Sequence, residues 1–222
     1  MAIVPDRALL NDYWQPIVNL YQQIQSGLEP TINFQGTKDQ YCLARDEFNS
    51  RLGEATPEIA QILYFLLRTS YNGLVRTNSK GEFNVPFGRP ANGGEHKYLT
   101  DFSEYQAAFA NWQFTNLDFE EVTIAPDDFI YADPPYDVVT ASGKSFSYSC
   151  KFDWDDQVRL AHFLASKPNP VVASNHATDR VIELYSDLGF ATTTFLKTRA
   201  INCKGEGRKV GAIEMLATKN TK

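Results

Sequence analysis

Phe129-Ile130-Tyr131-Ala132-Asp133-Pro134-Pro135-Tyr136 joins a short apolar strand to an acid, two rigid prolines and an aromatic ring. An ionised carboxylate accepts hydrogen bonds and donates none. Each proline fixes its own backbone and, having no N–H, leaves its carbonyl as an acceptor. The tyrosine adds a flat face. The combination suits a planar group carrying an amino substituent, with two acceptors for the NH₂ hydrogens and a ring to stack on. A nucleobase turned out of its stack is such a group. The competing reading is a strand followed by a Pro-Pro turn. Tyr136 and the apolar run before Asp133 weigh against it.

Outward from this stretch the chain alternates strands and helices. Residues 7–11 read as a strand delivering Asp12, and Pro16 stands where a helix begins, with Ile17, Val18, Leu20, Tyr21 and Ile24 at helical spacing before Gly27. A polar helix is expected over 38–51. Thr56 and Pro57 open a nearly all-apolar helix, and 71–88, dense in turn formers and aromatics, reads as a loop plus a hairpin. Thr100 is expected to cap a helix running to Trp112, followed by a strand over 113–119 that ends near Asp118. Beyond the central stretch, Asp153 caps a helix to about Ser166, 171–174 is a strand, 179–187 a helix closed by Gly189, and 191–197 with 211–218 a final strand pair. This order predicts an α/β fold with a mainly parallel sheet and ligands at the carboxyl ends of its strands. Asp12, Asp118 and Asp133 fall at such ends, so one edge of one sheet is expected to gather three acids.

The chain has 222 residues, 43% hydrophobic and 22% charged, ordinary values that allow one α/β domain with a small inserted subdomain. No run approaches the length of a membrane span, and no signal-peptide core opens the sequence, so a cytoplasmic protein is expected. Cys42, Cys150 and Cys203 are scattered without metal-ligand spacing, as are His96, His162 and His176, and no metal site is expected. The net charge of −6 argues against a nucleic-acid partner until its distribution is considered. Between Arg68 and Lys97 five cations face two acids, and between Arg199 and Lys209 four face one. Two basic islands on an acidic body are compatible with a phosphate-facing side, and equally with solvated charge.

Four blocks in order carry a resemblance: Leu10-Asn11-Asp12 with Asn19-Leu20-Tyr21; Arg68 through Gly88, containing Tyr71-Asn72-Gly73-Leu74-Val75-Arg76 and Gly81-Glu82-Phe83-Asn84-Val85-Pro86-Phe87-Gly88; Leu117-Asp118-Phe119; and Tyr131 through Tyr136. Over about residues 8–218 the chain resembles the Dam family of DNA adenine methyltransferases. The resemblance implies a Rossmann-like S-adenosylmethionine-dependent methyltransferase sheet over 1–30 and 113–222. It also implies a small, mostly helical DNA-recognition insertion over 31–112 that carries the hairpin. The implied cofactor is S-adenosylmethionine and the implied partner double-stranded DNA. Asp133 and the Pro134 carbonyl would hold the target amino group and Tyr136 would stack on the flipped adenine. Asp12 would bind the cofactor's ribose hydroxyls and Asp118 its adenine amino group. Tyr71 and Asn72 would enter the duplex, while Leu74, Arg76 and Pro86 would touch base edges, Arg76 reading a guanine. Asn78 and Lys80 belong to the same DNA-binding hairpin.

The family's Phe-x-Gly-x-Gly turn, which receives the methionine part of the cofactor, has no counterpart ahead of Asp12; the first glycine is Gly27. A start placed too late, a second chain supplying the segment, or a degenerate remnant would each account for that. The alternative function is accordingly a DNA-binding module that cannot hold cofactor, with methylation of RNA or protein amides a third reading that residues 71–88 argue against.

Four smaller features carry a structural reading or admit two. Ser174, Asn175 and His176 read as loop polarity, because no nucleophile elbow surrounds the serine. Asp127-Asp128 reads as a solvated turn. Phe146, Tyr148, Phe152 and Trp154 fit either a flap over the target base or packing against the sheet, and residues 201–209 either a backbone-contacting loop or an idle one.

Overall fold

Proline and threonine set the helix starts in the first half of the chain, where an unpaired first-turn N–H costs least to lose. Pro16 lies in the first turn of α1 (Gln15–Gln25) and Pro57 opens α3 (Pro57–Thr69). Thr56 and Thr37 accept from the N3 amides of α3 and of α2 (Lys38–Ser50), respectively. The computed structural model describes residues 5–31, 36–90, 95–99, 101–137, 152–197 and 212–221. The chain divides into two units between Asp118 and Phe119.

In the first unit α3 is the hub. Ile59, Ala60 and the run from Ile62 to Leu66 are all buried, because α1 and α2 pack on α3 from different sides. Tyr41 and Phe48 of α2 and Leu20 and Ile24 of α1 join them in one core with Phe83 and Val85 from the hairpin. Each such side chain contributes about 1.5–3 kcal/mol by leaving water. Two strands, β1 (Ala8–Asn11) and β2 (Trp112–Thr115), pair in parallel, Leu9 opposite Gln113 and Asn11 opposite Thr115. The helix expected up to Trp112 is only α4 (Ser103–Phe109), and its N-cap, Phe102, makes no side-chain cap bond. Trp112 instead starts β2, its carbonyl held at 2.8 Å by Gln25 of α1 and its indole N–H by the Pro5 carbonyl. Thr100, the expected cap, lies outside the described residues.

The second unit holds a four-stranded sheet in the order β3 (Ile130–Ala132), β4 (Val171–His176), β6 (Ala212–Lys219), β5 (Ala191–Lys197). β3 and β4 are parallel, whereas β6 runs antiparallel to both of its neighbours. The sheet is therefore mixed where a mainly parallel one was expected, since the final strand pair inserts its second member beside β4. The expected single sheet also resolves into two. A continuous one would need a strand pairing between β1–β2 and β3–β4 that the described residues do not supply. Helices α5 (Trp154–Ala165) and α6 (Asp179–Asp187) complete the unit, α5 opening with a reciprocal capping box between Asp153 and Asp156. Leu160, Leu164, Val171, Val181, Tyr185, Phe190 and Met215 make its core. No helix among the described residues is long and apolar enough to cross a membrane.

Tyr185 is completely buried against Phe190, and its hydroxyl has no hydrogen-bond partner among the described residues. Burial pushes that hydroxyl up to about 12. An unpaired buried hydroxyl costs about 1–3 kcal/mol. Tyr185→Phe should therefore raise the melting temperature, as read by differential scanning calorimetry, and a lower Tm would contradict an unpaired hydroxyl.

Candidate active site

β4 outruns β3. The ladder ends with Ala132 opposite Ala173, so Ser174, Asn175 and His176 continue alongside a loop that has no strand partner of its own. Each of the three holds that loop. Ser174 donates to one carboxylate oxygen of exposed Asp133 at 2.7 Å. Asn175, with no exposed surface, accepts the Asp137 N–H at 2.9 Å. Nδ1 of His176 lies 3.1 Å from the Asp137 carbonyl, while its ring meets the Tyr136 ring edge-on, centroids 5.1 Å apart. Burial pushes the Tyr136 hydroxyl above its ordinary value, partly offset by a hydrogen bond with Ser174. From α5, Gln157 donates to the Pro135 carbonyl at 2.6 Å.

Asp137 closes the loop. Its carboxylate, 2% exposed, accepts from Thr178 at 3.0 Å and is gripped at both oxygens by Arg180 of α6. The Arg180 guanidinium also lies over the Trp154 ring, 4.3 Å from its centroid. With these anchors in place, the second oxygen of Asp133 and the Pro134 carbonyl have no donor among the described residues. Two acceptors one residue apart can take the two hydrogens of one amino group.

Asp12 and Asp118 belong to the first unit. Asn11 at the end of β1 staples the turn after β2: it accepts from Thr115 and from the Leu117 N–H and donates to the Leu117 carbonyl, at 2.9, 3.0 and 3.0 Å. Asn116 returns the contact, donating to the carbonyls of Asp12 and Tyr13 at 2.8 and 2.9 Å. The two acids thus stand on turns tied to each other. One oxygen of Asp12 accepts the Trp14 N–H at 2.7 Å. The carboxylate reaches solvent, yet protein packed to one side raises its pKa by desolvation, with the Trp14 bond pulling it back. Half-buried Asp118 follows the end of β2 after the two intervening residues Asn116 and Leu117.

The hairpin is docked on α2. Phe83 and Val85 are each 1% exposed, Asn49 exchanges both amide bonds with Phe83, and the Tyr41 hydroxyl donates to the Val85 carbonyl at 2.6 Å. Asn72 and Gly73 both take positive φ, 54° and 65°, in the turn after α3. Gly88 leaves no room for a side chain, since a Cβ there would stand 2.5 Å from the Ser70 carbonyl oxygen. Half-buried Tyr71 and Leu74 pack on the core, whereas Asn72, Lys80 and Pro86 are exposed. Asn78 builds the hairpin tip, its oxygen accepting from Lys80 and Glu82 amides and its nitrogen donating to Glu82. Arg76 is exposed, with Nε and Nη2 held by Asn84 at 2.7 and 3.0 Å, and Nη1 has no acceptor among the described residues.

The structure overturns the reading of Ser174, Asn175 and His176 as loop polarity. They are strand residues, and Ser174 and Asn175 are buried with hydrogen bonds into the Asp133–Asp137 loop. The sequence does not single out Asp137, Gln157 or Arg180, because their partners lie 18 to 43 residues away. The only hint was an acid directly after Tyr136. Phe146, Tyr148 and residues 201–209 lie outside the described residues. Among those described, no group of three or more His, Cys, Asp or Glu is placed to hold a metal ion.

Known proteins carry related sequences. Residues 2–201 match the family described as D12 class N6 adenine-specific DNA methyltransferase. The Type II methyltransferase M.MjaIII of Methanocaldococcus jannaschii is 37% identical over 81% of this chain and 64% of its own length. The Type II methyltransferase M1.LlaDCHI of Lactococcus lactis subsp. cremoris is 30% identical over 93% of this chain and 78% of its own. The DNA N-6-adenine-methyltransferase of Escherichia phage P1 is also 30% identical, over 91% of this chain but 28% of its own. The family and all three relatives are methyltransferases. The chain belongs to the D12 class of N6 adenine-specific DNA methyltransferases.

The Asp137–Arg180 pair should respond asymmetrically to mutation. Arg180→Ala leaves a carboxylate 2% exposed without its cation, a defect of about 3–5 kcal/mol. Asp137→Asn leaves Arg180, whose side chain is 39% exposed and can hydrate. Urea denaturation should rank Arg180→Ala as the less stable variant, and equal stabilities would contradict the asymmetry.

Proposed function

We propose that this chain methylates the N6 amino group of adenine in duplex DNA, with S-adenosylmethionine as methyl donor. The observation that carries the reading is the acceptor pair beside the Tyr136 ring: the Asp133 oxygen that Ser174 leaves unclaimed and the Pro134 carbonyl, neither with a donor among the described residues. An aromatic amine is a poor nucleophile because its lone pair is delocalised into the ring. Two acceptors on its hydrogens favour tetrahedral nitrogen, return the lone pair, and meet the positive charge that grows there. Tyr136 offers a face for the ring, with His176 fixing the plane of that face. What remains is positioning.

The acids of the first unit suit the cofactor by their chemistry. Asp12, with one oxygen on the Trp14 N–H and the other without a donor among the described residues, would accept from ribose hydroxyls, and Asp118 would accept from the adenine amino group. When bound, the cofactor supplies an electrophilic methyl group on a sulfonium. Residues 31–112 would form the target-recognition insertion. The unclaimed Nη1 end of Arg76 fits a guanine edge, and Lys80, exposed at the hairpin tip, fits a phosphate.

Asp133→Ala should abolish transfer while leaving duplex binding nearly intact, because the carboxylate is used only once the base is out of the helix. Tritiated methyl incorporation beside a gel shift tests this, and retained incorporation would remove Asp133 from the reaction. Arg76→Ala should relax preference at one base pair, with about 1–3 kcal/mol of discrimination lost. Lys80→Ala should weaken all sequences alike and flatten the salt dependence. If both variants lose affinity with preference unchanged, the hairpin is a phosphate clamp and reads no base.

A further inference from the structure

The proline pair presents two carbonyls, of residues 134 and 135, and only one can serve the target amino group alongside Asp133. We propose that Gln157 and Asn175 form a one-way amide relay that turns the Pro135 carbonyl inward and fixes the loop for transfer. They are positioning residues for the reaction, and this role rests on the reading of the Asp133 loop given above.

The direction of the relay follows from backbone atoms that cannot be reversed. The N–H groups of Asp137 and His176 converge on one end of the Asn175 side chain, at 2.9 and 2.8 Å. Two donors meeting there require that end to be the oxygen. The Asn175 nitrogen then faces Gln157 and donates to its Oε1 at 2.9 Å. With its oxygen so used, Gln157 turns its nitrogen to the Pro135 carbonyl at 2.6 Å. Each amide orientation is dictated by the one before it. Gln157 and Asn175 are 3% and 0% exposed, so water does not replace either bond.

Three consequences converge on the loop. The Pro135 carbonyl is consumed, which leaves Pro134 as its backbone acceptor. The peptide unit between Pro135 and Tyr136 is held from its carbonyl side, and that between Tyr136 and Asp137 from its N–H side, so the Tyr136 ring springs from a backbone clamped on both flanks. Asp137 is then carried into the grip of Arg180. The competing view is a buried polar pair that stabilises the unit and has no bearing on transfer.

Three variants of the full chain separate the two views. Gln157→Met keeps length and apolar packing and removes the donor. Gln157→Glu replaces the donor by an acceptor against the carbonyl. Asn175→Asp keeps the acceptor for both backbone N–H groups but repels the Gln157 oxygen, so the defect should propagate from β4 to the loop. In all three, single-turnover methyl transfer to duplex DNA should fall about 10–100-fold after correction for folded fraction. The KM for DNA should stay within about threefold of the parent value, a kcat-selective loss. Hydrogen exchange of the Tyr136 and Asp137 amides should accelerate. With an active parent enzyme, a parental corrected rate in Gln157→Met overturns the positioning role, whatever the exchange shows. If the parent transfers no methyl group, the proposed function fails on its own. The relay is then judged by exchange alone, where unchanged protection in Gln157→Met overturns it and accelerated exchange sustains it.

Discussion

Two adjacent prolines cannot be held by a β ladder. Neither has an N–H to give, so the chain from Asp133 to Asp137 leaves the sheet as soon as Ala132 has paired. A loop that must present acceptors at a fixed spacing then depends on side chains reaching it from elsewhere. In this protein they come from the overhang of β4, from α5 and from the start of α6. Four of the five buried polar residues described in the second unit follow from that requirement: Asp137, Gln157, Ser174 and Asn175 lie within one network around the loop, while the fifth, Asn169, holds the Ala125 and Asp128 carbonyls. Buried amides and carboxylates are costly unless each polar atom finds a partner, and the bonds described supply those partners. The polarity that makes the loop rigid is therefore placed where a purely apolar core would have been simpler to build.

The hairpin of the first unit meets the same difficulty by another route. Its strands are too short for a ladder, with only isolated bridges at Ser70–Phe87 and Thr77–Phe83. Its backbone is secured instead by Asn49 and Tyr41 of α2 and by Asn78 at the tip, while Phe83 and Val85 sink into the core. The inner face is spent on docking. The outer side keeps Arg76, Lys80 and Pro86 in solvent. Asn84 holds Arg76 by Nε and Nη2, so a long and otherwise mobile cation is restrained while Nη1 stays unclaimed among the described residues. An arginine restrained in this way loses less side-chain entropy when it meets a planar acceptor edge.

Local signals made much of this legible. Pro16, the Thr56-Pro57 pair, Asp153 and the 179–187 segment each mark a helix by chemistry confined to one or two turns, and α1, α3, α5 and α6 start where those residues place them. The apolar run before Asp133 is a strand, and the turn formers of 71–88 make a hairpin. What escaped was decided at long range. Ser174-Asn175-His176 looks like a strand giving way to a loop, since polarity replaces Val171-Val172-Ala173. The strand continues because the pocket loop, some forty residues earlier, consumes that polarity. Trp112 looks helical after α4 but is drawn into β2 by Gln25 of α1, and no local rule expresses that contact. The place of β6 between β4 and β5 is likewise set by pairing with a strand some forty residues earlier.

On the proposed reading, the same long-range bonds explain why an acid suits position 133 better than asparagine or serine. Ser174 already donates to one of its oxygens at 2.7 Å. An asparagine there would either offer its NH₂ to the target amino group, donor against donor, or turn that NH₂ to Ser174 and force the hydroxyl to reverse its role. A serine has one oxygen, and it would be divided between the two partners. A carboxylate can accept from Ser174 at one oxygen and from an amino hydrogen at the other without any rearrangement. The neighbouring backbone acceptor must then be one that no internal donor has claimed, which the Pro135 carbonyl is not and the Pro134 carbonyl is. On the proposed reading, side-chain chemistry at 133 and backbone chemistry at 134 are thus selected by separate constraints, one from β4 and one from α5, and they would meet at a single amino group.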